Sequence, residues 1–107
     1  MAFYELRTYE IRPGKIDEWI ELMEKEIIPM QVARGMVIAG SFRVENNDGL
    51  YIWIRRFEDE EHRKALYAAV YESDEWKNNL SDRVGACINR ETIKVERIIP
   101  TAASVLK

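Results

Sequence analysis

The segment Leu50-Tyr51-Ile52-Trp53-Ile54-Arg55-Arg56-Phe57 most restricts what this chain can become. Its β-branched and aromatic residues follow Asp48-Gly49, a turn dipeptide, and read as a strand. Side chains alternate across a strand, so Tyr51, Trp53, Arg55 and Phe57 share one face and Leu50, Ile52, Ile54 and Arg56 the other. Six of these eight residues are apolar or aromatic, so neither face suits water and both need cover. The aliphatic even face is expected to meet helices of the same chain. The aromatic odd face is expected to meet a second copy, since symmetric pairs are the commonest assembly of soluble proteins.

The flanking sequence supplies the other elements. Phe3 to Ile11 reads as a first strand, ended by Arg12-Pro13-Gly14. From Lys15, the apolar residues Ile16, Trp19, Ile20, Met23 and Ile27 trace one helical face, with Asp17, Glu18 and Glu21 near the start and a Glu21–Lys25 pair outside. Pro29 is expected to kink or end this helix, and Gly35 to close any continuation. Met36 to Val44 reads as a second strand and Glu45 to Gly49 as its hairpin turn, with Asp48-Gly49 making the reversal. Asp59 is the expected cap of a second helix that pairs Glu60 with Lys64 outside and turns Leu66, Ala69 and Val70 inward. Ser73 caps a further helical piece holding Trp76 and Leu80, Ser81 to Arg90 has no clear signature, and Thr92 to Ile99 is the last strand, stopped by Pro100. The order β-α-β-β-α-β predicts an α+β fold of ferredoxin-like type, a four-stranded antiparallel sheet with helices on one face, in a single domain over residues 1–107.

Composition narrows the functions. At 107 residues with 47% hydrophobic and 33% charged, the chain can bury one core without disulfides. A net charge of −3 gives no general attraction to nucleic acid or to an anionic membrane. One cysteine, Cys87, and one histidine, His62, make neither an intrachain disulfide nor a zinc site. With neither an export signal nor a spanning apolar run in view, a cytoplasmic setting is expected. No cofactor is expected either: Gly-x-Gly is absent, and Gly14-Lys15 has neither the upstream glycine nor the following hydroxyl of a phosphate loop.

Several short segments resemble the NIPSNAP family: the opening Tyr4-Glu5-Leu6-Arg7-Thr8-Tyr9, the turn Pro13-Gly14-Lys15, Gly40-Ser41-Phe42, the pair Glu75-Trp76, and Ile98-Ile99-Pro100-Thr101. Their order and spacing carry the resemblance across nearly the whole chain. Asp74 stands where the family commonly has proline. The resemblance implies a homodimeric α+β barrel, two such sheets face to face around a lumen, and no agreed biochemical activity. Related barrels include cofactor-free oxygenases, haem-degrading monooxygenases and small isomerases.

The best site candidate joins Glu5, Arg7 and Tyr9 of the first strand to Tyr51, Trp53 and Arg55 of the third, since the split order makes these strands neighbours. Facing a lumen, they would bind a small apolar or aromatic acid. Arg7 or Arg55 would hold a carboxylate or enolate, and Tyr9 or Tyr51 would donate to an oxyanion. The competing reading is a structural one, a Glu5 ion pair to Arg7 or Arg55 that fixes the dimer and binds nothing. A cofactor-free monooxygenase or isomerase is the enzymatic alternative. An RNA-recognition module shares the element order, but the basic surface and the glycine-bearing strand consensus are missing. His62 is read as a helix-surface residue, Glu58 to Glu61 as a helix start, and Cys87 as an inert thiol.

Overall fold

A computed structural model describes residues 2–107. Strand β1 (Phe3–Glu10) is followed by Pro13-Gly14, where Gly14 takes φ 76°, a left-handed turn conformation. The first helical stretch has three parts: α1 (Ile16–Leu22), a π-helical turn Met23–Ile27, and α2 (Ile28–Ala33). Pro29 therefore does not end the helix. Ile28 N–H reaches back five residues to the Met23 carbonyl, so the ladder is already widened where the proline ring arrives without a donor. Gly35, at φ 102°, closes α2 as expected.

Strand β2 (Val37–Val44) returns as β3 (Asn47–Phe57) through Glu45-Asn46. The reversal falls on Asn46, at φ 61°, and Asp48-Gly49 lies inside the strand, a correction to the expected turn. Asn tolerates the left-handed region, which is why it can replace the Asp-Gly signal. Helix α3 (Glu60–Tyr71) is capped by Asp59, whose Oδ1 accepts from His62 N–H at 2.8 Å, while His62 Nδ1 accepts from Glu58 N–H at 3.0 Å. Leu66 and Val70 turn inward, but Ala69 is exposed, and Glu60 pairs with Arg63 and Arg97 rather than with Lys64. A second π-helical turn, Trp76–Leu80, leads into α4 (Ser81–Cys87), and a 3-10 turn (Arg90–Thr92) precedes β4 (Lys94–Ile98).

The sheet order is β2-β3-β1-β4, with every neighbouring pair antiparallel. All helices lie on one face. Which face this is reverses the expectation from the sequence: Tyr51, Trp53, Arg55 and Phe57 are fully or almost fully buried under the helices, while Leu50, Ile52, Ile54 and Arg56 are only half-buried on the open side. The helices explain the reversal. They bring Trp19, Met23, Tyr67, Tyr71 and Trp76, which fit an aromatic face, and Gln31 and two tyrosine hydroxyls, which a buried arginine requires. A shift in register between Ile38 and Gly40 makes a bulge in β2, so that Ser41 faces the helices and Phe42 the open side. There the Phe42 ring lies across Gly40, where an added Cβ would come within 2.4 Å of it.

Candidate functional site

Glu5 and Arg55 face each other across the β1–β3 pair, and Arg7 is opposite Trp53 one step along the same face. Alternation puts Tyr9 and Tyr51 on that face too. The six residues expected to form a site are therefore brought together, but between the sheet and the helices of one chain rather than on an open sheet face.

Their polar groups form one network. Arg55, with no exposed surface, donates through Nη1 to Tyr71 Oη at 2.8 Å and Gln31 Oε1 at 3.1 Å, and through Nη2 to Tyr67 Oη at 2.8 Å and Glu5 Oε1 at 3.3 Å. Tyr67 in turn donates to Glu5 Oε1 at 2.5 Å, and Arg63 Nε donates to Glu5 Oε2 at 2.7 Å. Arg7 is different. Its Nε donates to Tyr9 Oη at 3.0 Å and its Nη1 to Tyr67 Oη at 3.2 Å, while the nearest carboxylate oxygen, on Glu5, is 3.8 Å away. Three guanidiniums, of Arg7, Arg55 and Arg63, thus surround one buried carboxylate, Glu5.

The protonation states follow from this packing. Burial pushes the Glu5 carboxyl up, but hydrogen bonds from Tyr67 and Arg63 and the charges of Arg55 and Arg63 outweigh it and hold Glu5 below 4.5. Burial and the bond to Glu5 push the Tyr67 phenol to about 12 against the pull of Arg55. Burial likewise raises Tyr9, and it raises Tyr51 to about 12. These groups stay as one carboxylate and neutral phenols across the physiological range.

Beside the network the rings form a continuous layer. Tyr9 meets Trp19, Trp53 and Tyr51 at centroid distances of 5.8, 6.1 and 6.3 Å. Arg55 lies over Trp53 at 4.5 Å. On the helix side, Tyr67 contacts Tyr71 at 5.2 Å and Tyr71 contacts Trp76 edge-on at 4.9 Å. A cavity opens among Tyr9, Trp19, Gln31, Trp53, Tyr71 and Trp76, of which Tyr71 and Trp76 are the half-exposed, solvent-side walls. The part open to a water-sized sphere is about 20 Å³. Both π-helical turns contribute to its lining, through Met23 and Ile27 and through Trp76.

Tyr67, Tyr71, Arg63, Gln31, Trp19 and Trp76 belong to this site without having been singled out as site residues from the sequence. A signal for three of them was present: Arg63, Tyr67 and Tyr71 recur every four residues, which stacks them on one face of α3. His62 is absorbed by the helix cap. Cys87 is buried and donates its thiol to Glu18, and burial with that carboxylate pushes it up to about 11.

Known proteins bear this architecture out. A crystal structure of a NIPSNAP family protein from Agrobacterium tumefaciens superposes with a TM-score of 0.88 at 24% identity, covering 100% of both chains. An antibiotic biosynthesis monooxygenase shares the fold more distantly, with a TM-score of 0.67 at 17% identity over 92% of this chain and 98% of that one. Protein NipSnap homolog 3B of Mus musculus is 28% identical over 103 residues, 92% of this chain, which spans only 40% of that longer protein. The sequence profile of the NIPSNAP family matches residues 4–104, and with sheet order, helix placement and sequence in agreement, this chain belongs to the NIPSNAP family.

Proposed function

We propose that this chain is a small-molecule-binding protein that takes a flat aromatic acid between its sheet and its helices, with Glu5, Arg7, Tyr9, Tyr51, Trp53 and Arg55 as the sheet side of the site. The observation that carries this reading is Arg7. It is a mostly buried guanidinium, 16% exposed at the side chain, that donates only to phenol oxygens among the described residues. Glu5, 3.8 Å from Arg7, is shared with Arg55 and Arg63, and a ligand carboxylate would supply the negative charge that one carboxylate among three guanidiniums leaves short, in a forked pair with Arg7. Tyr9, Trp19 and Trp53 would receive the ring. The water-accessible space of about 20 Å³ is smaller than a ring, so entry requires the half-exposed Trp76 to swing away from Tyr71.

The open sheet face supports the second half of the reading, a homodimer. Phe42 and Ile98 are 50% and 40% exposed there, beside the half-buried Leu6, Leu50, Ile52 and Ile54. A contiguous apolar sheet face of this kind favours a partner, and the same face of a second copy closes the barrel that the family resemblance implies. The aliphatic face, not the aromatic one, would then be the interface. Among the described residues no helix is long and apolar enough to cross a membrane, which is compatible with the cytoplasmic setting we favour.

Calorimetric titration of the wild type and of Arg7→Gln with benzoate tests the site. Saturable binding at one site per chain, weakened about tenfold or more in Arg7→Gln, is expected from loss of a charge-assisted pair. Equal binding by both proteins would remove Arg7 from the site. No saturable binding would leave the buried layer a structural one.

A further inference from the structure

The cavity in the ring layer has an unusual hydrogen-bonding character. Trp19 and Trp53 are 1% and 2% exposed, both line it, and neither indole Nε1 has an acceptor among the described residues. Buried N–H groups without a partner are rare and ask for an occupant. The other polar side chains on the wall do not serve them. Gln31 Oε1 accepts from Arg55, and the Tyr9 and Tyr71 oxygens accept from Arg7 and from Arg55 with Gln31, while no hydrogen bond among the described residues uses either phenol's own proton. Each of these oxygens already accepts a hydrogen bond and none accepts from either indole, so the wall is richer in free donors than in free acceptors. The water-accessible volume of about 20 Å³ has room for one water, whose lone pairs would answer such a wall at rest.

We propose that the ligand carries a second oxygen acceptor besides its carboxylate, a carbonyl or ionised ring oxygen that takes the place of that water and accepts from the indole N–H groups of Trp19 and Trp53. The inference rests on the reading above that the layer binds a flat aromatic acid, and it names which such acids are selected. Tyr9 connects the two ends: Arg7 lies 5.6 Å from the centroid of its ring, and Trp19 and Trp53 both contact the same ring edge-on. An acid with no second oxygen would displace the water and leave both indoles unsatisfied. A site built from buried donors discriminates strongly against such analogues.

Matched probes separate the possibilities. Benzoate, 3-formylbenzoate and 4-formylbenzoate are titrated into wild-type protein by calorimetry, and the indole N–H signals are followed by 15N-resolved NMR, assigned through Trp76→Phe and Trp19→Phe. The proposal expects one formyl acid to bind about tenfold more tightly than benzoate, the worth of one good hydrogen bond. It also expects the Trp19 and Trp53 indole protons to shift downfield with that acid relative to benzoate. In Trp53→Phe the ratio of formyl-acid to benzoate affinity falls toward one, whatever the change does to each acid alone, and a ratio equal to that of the wild type overturns the proposal. Equal affinities with no relative downfield shift in the wild type overturn the proposal and leave the acid-binding reading standing. Failure of all three acids to bind overturns both.

Discussion

At the scale of single residues, Glu5 holds the polar layer together, because Arg55, Arg63 and Tyr67 all converge on its two oxygens. Its depressed carboxyl makes the fold sensitive to acid. A group ionised more readily in the folded than in the unfolded chain stabilises fully above its unfolded value, near 4.5, and that stability is lost as pH falls through the folded value. Urea midpoints for the wild type should therefore decline steeply below about pH 4.5. Glu5→Gln should be less stable at pH 7, by about 3 kcal/mol as expected for breaking a buried ion network. Its acid limb should be shallower, so that the two curves approach each other as pH falls. Parallel curves over the whole range would mean that Glu5 is not held ionised by its neighbours. The tyrosines act at the other end of the scale. Burial raises Tyr67 and Tyr51 to about 12, so their contribution is present below about pH 10 and lost as pH rises through the folded values.

At the scale of elements, caps and turns decide where the helices start and therefore which side chains reach the site. Asp59 sets the register of α3, which places Arg63, Tyr67 and Tyr71 above the sheet. Asp59→Ala should cost about 1 kcal/mol in denaturant unfolding. A change below a few tenths would mean that His62 and the flanking acids set the helix start without it. The same elements show what was legible in the sequence. Strand order, both helical regions, the Asp59 and Ser73 caps and the β1–β3 adjacency follow from periodicity and turn chemistry, which are local. The six candidate residues were also legible as a group, because neighbouring strands and alternation fix who stands beside whom. The face they occupy was not. Two apolar faces on β3 leave the choice to the helices, and Trp19, Tyr67 and Tyr71 matter only once helix and sheet are docked. The π-helical turns were equally hidden, since nothing local in Met23–Ile27 or Trp76–Leu80 marks a widened hydrogen-bond ladder.

At the scale of the whole molecule, a chain of 107 residues divides its aromatic and aliphatic surplus between two jobs. The aromatic face and the helices make an internal layer with a small cavity; on the aliphatic face Tyr4 is buried beside the C-terminal segment, while Leu6, Leu50, Ile52 and Ile54 stay half-buried. Light scattering after gel filtration should give twice the chain mass of 12.6 kDa, and Ile54→Glu, on the open face, should give the monomer with its helical circular dichroism retained. A wild-type monomer at micromolar concentration would remove the barrel from the account. The placement of the ligand is the more searching question, because the layer under the helices and the lumen of the proposed dimer would be different compartments. A crystal soaked with 4-bromobenzoate distinguishes them through the anomalous signal of bromine. A peak is expected in the cavity bounded by Trp19, Trp53 and Trp76, with the carboxylate on Arg7; a peak between the open sheet faces, with that cavity unchanged, would rule out binding under the helices.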